Sequence, residues 1–218
     1  MKHQLKGIVF DMDNTILRSR IDFQAMKNET YQFLVSNEIL PDGYNLNDHT
    51  TSTLIEEAIQ TNRMSEDLHS EMWDIAKRHE VCGMHGADLE HGAVEVLHAL
   101  KDKYLIAIVT NNSVEAAEIA LRENGILEYF DYIIGRELMK ALKPSPDGYL
   151  RVLDEFKQSA DEWLSVGDSW IDEKASIHAG IKFIAYRSDQ EILKQMNVHP
   201  IAELSILLEL LNLIERFE

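Results

Sequence analysis

Four aspartates, one lysine and one threonine carry the chemical interest of this chain. Asp11 and Asp13 stand two apart in Asp11-Met12-Asp13-Asn14-Thr15, Thr110 opens Thr110-Asn111-Asn112, Lys143 precedes Pro144, and Asp168 is followed by Ser169 and, a helical turn later, by Asp172. Asp11 and Thr110 directly follow apolar runs, and Asp168 sits one glycine beyond another. Carboxylate oxygens are hard ligands that select Mg²⁺, while an ammonium and a hydroxyl supply donors for the charge of a phosphoryl group. Taken singly, aspartates at such places are ordinary turn formers and helix caps. Their recurrence after successive apolar runs points instead to a metal-assisted phosphoryl site. A calcium loop beginning at Asp11 is disfavoured, because Ile16 falls at the sixth position, where a glycine is required.

The elements that must hold these residues follow from the apolar runs, Leu5 to Phe10, Leu105 to Val109, Tyr132 to Ile134, Trp163 to Val166 and Lys182 to Tyr186. Rich in Ile, Val and Phe, they read as strands buried on both faces. Helical spacing occupies Ala87 to Asp102, Val114 to Asn124, Pro146 to Lys157 and Ile171 to Ala179. Gly125 and Gly180 close two of these segments and suit left-handed C-caps. Alternating strand and helix predicts an α/β fold with a doubly wound, Rossmann-like parallel sheet, whose ligands bind beyond the carboxyl ends of the strands.

Between Phe10 and Leu105 the chain is far longer than a crossover connection needs. Phe23 to Ser36 and Ser52 to His79 have helical composition around the turn cluster Pro41-Asp42-Gly43-Tyr44-Asn45. Residues 18–83 are therefore expected to form an inserted helical domain, with 1–17 and 84–218 making the core. The run Ile201 to Phe217, with leucines at 204, 207, 208, 210 and 211, reads as an amphipathic helix packed on the sheet.

Composition narrows the function classes. The 218 residues are 45% hydrophobic and 27% charged, with four prolines and ten glycines, as in an ordinary globular protein. Asp and Glu number 38 against 21 Lys and Arg, a net charge of −17 that repels nucleic acid. No apolar stretch reaches membrane-spanning length, and the N-terminal run is too short for a signal peptide, so no membrane partner and a cytoplasmic location are expected. The lone Cys82 allows no internal disulfide and reads as a small buried or half-buried thiol. His79, His85 and His91 are spaced too irregularly for a metal site. Arg18 and Arg20, flanking Ser19, stand where they could meet an anionic substrate, although arginines on a linker are more often simply exposed. Met12 and the tryptophans read as packing.

Phe10-Asp11-Met12-Asp13-Asn14-Thr15, the strand ending in Thr110-Asn111, Lys143-Pro144, and Gly167-Asp168-Ser169-Trp170-Ile171-Asp172 followed by Ala175 and Ala179-Gly180 resemble the haloacid dehalogenase-like hydrolase superfamily over essentially the whole chain. The last motif looks most like the phosphoglycolate phosphatase and β-phosphoglucomutase branch. The resemblance implies a phosphatase for a small-molecule phosphate ester, working as a monomer or homodimer beneath a helical cap. Asp11 would be the nucleophile, Asp13 the acid and base, and Lys143 the charge neutraliser, with Thr110 and the Asn111 backbone on the phosphoryl oxygens. Mg²⁺ would sit on Asp11, the Asp13 carbonyl and Asp168, supported by Asp172. Dehalogenases and phosphonate-cleaving relatives lack an acid at the Asp13 position, which favours phosphate esters. Asn14 replaces the glycine usual there, and asparagine tolerates unusual backbone angles. A phosphomutase of the β-phosphoglucomutase type and a non-catalytic binding protein on the same fold are the alternatives.

Overall fold

The centre of the sheet is Gly7–Phe10 (β1), buried along its whole length. Side chains alternate across a strand, and here Ile8 and Phe10 enter one apolar cluster while Val9 enters another. The same alternation divides Leu105–Val109 (β4), with Ile106 and Ile108 on one side and Ala107 and Val109 on the other. A sheet covered on both faces has to be apolar on both, which explains the uninterrupted apolar runs. The computed structural model describes residues 4–217.

Six strands form the main sheet. With Tyr132–Ile134 (β5), Trp163–Gly167 (β6), Lys182–Tyr186 (β7) and Ala202–Leu204 (β8), the order is β5-β4-β1-β6-β7-β8, and every pair is parallel. One face is covered by Ala93–Leu100 (α4), Val114–Glu123 (α5) and Glu209–Ile214 (α9). The other face is covered by Asp147–Phe156 (α6) and Trp170–His178 (α7). Gln190–Gln195 (α8) packs on β7 through Leu193, which joins Phe183 and Ala185. This is the α/β sheet that the sequence predicts. Because β4, β1 and β6 are neighbours, the residues leaving their carboxyl ends converge without any long reach.

Leu17–Arg18 (β2) and Asp88–Leu89 (β3) pair antiparallel, so the chain leaves and re-enters the core through a two-stranded ribbon. Between them lie Phe23–Ser36 (α1), Thr51–Gln60 (α2) and Glu66–Met84 (α3). These helices have their own apolar cluster, built on Tyr31, Leu34, Leu54, Ile55 and Met72. Met26 and Ala76 join the cluster of the main sheet instead.

Several expected boundaries move. The helical stretch expected over Ser52 to His79 is two helices, because Asn62 turns left-handed at φ 54° and Ser65 caps a new helix that runs on to Met84. The helix expected from Ala87 begins only at Ala93, since Asp88 and Leu89 pair with β2 and Gly92 turns at φ 84°. The run Ile201 to Phe217 is not one helix. Its first part pairs with β7 as β8, and only Glu209–Ile214 is α-helical; Leu204, Leu207, Leu210 and Ile214 still pack on the sheet. Cys82 is exposed rather than buried. Gly125 and Gly180 do take the left-handed conformation, at φ 66° and 81°.

Candidate active site

Asp11 is the first residue beyond β1, and its amide donates to the Val166 carbonyl at 2.9 Å, which continues the sheet pairing and fixes the start of the loop. The next residues fold back tightly: Thr15, Ile16 and Leu17 amides all approach the Met12 carbonyl, and Asn14 takes φ 57°. Thr15 Oγ1 then donates to Asp11 Oδ2 at 3.3 Å. An asparagine suits this left-handed turn better than any β-branched residue. Met12, fully buried, anchors the loop to the core.

Lys143 reaches the same carboxylate from a distant part of the chain. Its backbone is gripped by the Asn111 side chain, whose Oδ1 accepts from Lys143 N at 2.8 Å and whose Nδ2 donates to Lys143 O at 3.0 Å. So held, Lys143 Nζ donates to Asp11 Oδ1 at 2.6 Å, Asp172 Oδ1 at 2.6 Å and the Val109 carbonyl at 2.8 Å. All three protons of the ammonium are used. Burial alone would depress its pKa, but Asp11 and Asp172 hold it well above the usual lysine range.

Asp168 leaves β6 and Asp172 lies in the first turn of α7. Ser169 caps that helix, and Asp172 Oδ2 accepts in return from Ser169 N at 3.1 Å, a capping box that fixes the second carboxylate. One carboxylate oxygen from each of Asp11, Asp168 and Asp172 lies within 4.8 Å of the others. Burial first, and then the neighbouring carboxylates, push both Asp168 and Asp172 upward in pKa. One lysine does not neutralise three carboxylates, Asp11 and Asp172 buried and Asp168 half-buried, so this donor set carries surplus negative charge. Oxygen donors with surplus negative charge fit a hard divalent cation.

Asp13 stands outside that cluster but lines the same cleft. Its Oδ2 accepts from Asn112 Nδ2 at 2.5 Å, and its buried Oδ1 has no hydrogen-bond partner among the described residues. Burial, reinforced by the Asp11 charge, raises its pKa from 3.8 to about 7. Thr110 is buried at the end of β4, where its Oγ1 accepts from Asn112 N at 3.2 Å. The structure thus brings Asp11, Asp13, Thr110, Asn111, Lys143, Asp168 and Asp172 to one cleft of about 350 Å³. Asn111 Nδ2 also donates to Ser52 Oγ at 2.9 Å, so the inserted helices form the cleft's other wall.

The remaining candidates lie elsewhere. Arg18 donates to the Leu89 carbonyl and lies 3.7 Å from Glu90, while Arg20 pairs with Asp88 at 3.4 Å; both tie the two-stranded ribbon together. His79 pairs with Glu29 at 2.6 Å and His85 with Glu123 at 2.8 Å. Other lining residues were not singled out from sequence, Asn112, Ser52, Glu80 and Lys27 among them. Asn112 orients Asp13, Ser52 meets Asn111, Glu80 forms a buried pair with Arg136 while accepting from Ser113 N at 3.0 Å, and Lys27 projects from α1. Only Asn112 had a visible signal, its position after Thr110; the others depend on contacts across the insertion.

Comparison with known proteins agrees with this geometry. Residues 8–186 match the family model described as haloacid dehalogenase-like hydrolase. A phosphoglycolate phosphatase of Aquifex aeolicus is 26% identical over 188 residues, covering 82% of this chain and 83% of that protein. The pyrophosphatase PpaX of Listeria innocua is 24% identical over 183 residues, covering 82% of each. The crystal structure of a predicted phosphoglycolate phosphatase from Haemophilus somnus has the same fold, with TM-score 0.70 at 21% identity over 98% of this chain and 99% of that one. With the family model spanning most of its length and the motif residues gathered at the ends of three adjacent strands, this chain belongs to the haloacid dehalogenase-like hydrolases.

Proposed function

We propose that the chain is a Mg²⁺-dependent phosphatase that hydrolyses a small-molecule phosphate monoester through an aspartyl-phosphate on Asp11. The observation that carries this reading is the division of labour between two aspartates two residues apart. Asp11 is hydrogen-bonded to an ammonium, whereas Asp13 makes no ion pair among the described residues and burial raises its pKa to about 7. A nucleophile and a general acid–base need environments that differ in this way.

Asp11 attacks phosphorus, and one difficult displacement becomes two easier ones. Asp13, protonated near neutral pH, gives its proton to the departing oxygen. It then takes a proton from the water that opens the aspartyl-phosphate. Asn112 holds its carboxyl group in place throughout. Thr110 and the backbone of Asn111 hold phosphoryl oxygens, and Lys143 stabilises the charge that develops on them. Asp11, Asp168 and Asp172, with the Asp13 carbonyl, would hold Mg²⁺, which when bound supplies the positive charge needed to bring a phosphate dianion among carboxylates. Residues 18–83 act as a cap that encloses the substrate and excludes bulk water. Phosphoglycolate heads the candidate substrates, since the relatives include phosphatases of that name.

Release of inorganic phosphate from a panel of phosphate monoesters, with Mg²⁺ and with chelator, tests this directly. Magnesium-dependent release that Asp11→Asn abolishes is the expected result. Isomerisation of a sugar phosphate without net phosphate release would assign the chain to the mutases instead, and Mg²⁺ binding with no reaction of any ester would leave a binding protein.

A further inference from the structure

Lys27 is a cation of the cleft that, among the described residues, has no carboxylate paired with it. The cleft is lined by Asp11, Asp13, Glu80, Asp168 and Asp172. Lys143 spends its three protons on Asp11, Asp172 and a carbonyl, and Glu80 is paired with Arg136. Lys27, half-buried on α1, donates instead to two backbone carbonyls, Leu46 at 2.7 Å and His49 at 3.0 Å. Among the described residues it makes no ion pair with a carboxylate, and one of its three protons remains for a ligand. The same wall carries the hydroxyl of Ser52, which accepts from Asn111 Nδ2 and so keeps its own proton free to donate.

We propose that Lys27 is a specificity-determining residue that binds a second anionic group on the leaving-group side of the substrate. Preferred substrates then carry a carboxylate or a second phosphate next to the scissile phosphoryl group. The two ammonium groups divide the work: Lys143 holds the attacking carboxylate of Asp11 from the sheet, and Lys27 serves the other end of the substrate from the inserted helices. The two carbonyls that Lys27 binds fix its position before substrate arrives, so little side-chain freedom is lost on binding. This rests on the phosphatase reading above.

The test compares phosphoglycolate and pyrophosphate with 2-hydroxyethyl phosphate, whose leaving group is neutral and of similar size to glycolate. In the wild type, kcat/KM for at least one anionic compound is expected to exceed that for the neutral ester by about tenfold or more, the worth of one charge-assisted hydrogen bond. Lys27→Met is expected to erase that ratio chiefly through KM, and Lys27→Arg to restore it. Whichever of phosphoglycolate and pyrophosphate carries the preference identifies the second anion as carboxylate or phosphate. A wild type without preference, or a Lys27→Met that slows all three equally, overturns the inference and leaves the phosphatase reading standing. A wild type that releases phosphate from none of them overturns that reading, and the inference with it.

Discussion

At the scale of single residues, the site works by giving each carboxylate a different neighbour. Asp13 shows the consequence most clearly. Its pKa rises from 3.8 to about 7 in the fold, so the folded state holds a proton that the unfolded state releases. Asp13 therefore costs stability increasingly as pH climbs from about 4 to about 7, and the cost is constant above that. In metal-free protein, Asp13→Asn should raise Tm, with a gain that grows across this window and reaches on the order of a few kcal/mol above it. A gain independent of pH would contradict the assignment. The same substitution should cut kcat roughly 10²- to 10⁴-fold, read by phosphate release. Lys143→Met removes the shared partner of two buried carboxylates and should cost about 3–5 kcal/mol in chemical denaturation as well as activity. The sequence displayed Asp11, Thr110 and Asp168 because they stand at, or one glycine beyond, the ends of apolar runs. Asn112 and Lys27 were not legible in the same way: Asn112 meets Asp13 across 99 positions, and Lys27 gains meaning only when the inserted helices fold against the sheet.

At the scale of elements, close approach of backbone to side chain sets the site. Gly167 ends β6, and a Cβ there would lie 2.8 Å from Asp172 Cβ and 2.9 Å from its Cγ. Gly167→Ala should therefore displace Asp172 and, one residue on, Asp168. Titration by calorimetry is expected to show Mg²⁺ affinity reduced at least tenfold, more than any change in folding stability accounts for; equal affinity would show that the helix yields without moving its carboxylate. Five of the six strands of the main sheet were legible because a sheet covered on both faces demands continuous apolar runs. The segment Ile201 to Phe217 misled because helical leucine spacing there carries on from a three-residue strand, and pairing of Ala202–Leu204 with β7 outweighs local periodicity. The Ser52 to His79 stretch hid its break because no glycine or proline marks the turn; Asn62 supplies the left-handed residue and Ser65, followed by Glu66 and Asp67, caps the next helix. Gly83, near the end of α3, packs against the segment that follows β2, where a Cβ would lie 2.5 Å from the Ile21 backbone.

At the scale of the molecule, an acidic chain with net charge −17 builds its cleft from carboxylates and balances them with few cations. A bound dication relieves that repulsion in the folded state alone. Mg²⁺ should accordingly raise Tm, by an amount equivalent to about 2.7 kcal/mol when present at a hundredfold excess over its Kd. Asp168→Asn should remove most of that shift in scanning calorimetry, while an unchanged shift would place the ion elsewhere. No helix among the described residues is long and apolar enough to cross a membrane. In the proposed mechanism Asp11 becomes covalently phosphorylated during turnover. Rapid acid quenching of wild-type protein with Mg²⁺ and its best ester, followed by peptide mass spectrometry, would trap that intermediate. A phosphoryl group on the peptide that contains Asp11, absent in Asp11→Asn, is the expected result; brisk turnover with no label there, or with label on another residue, would contradict it.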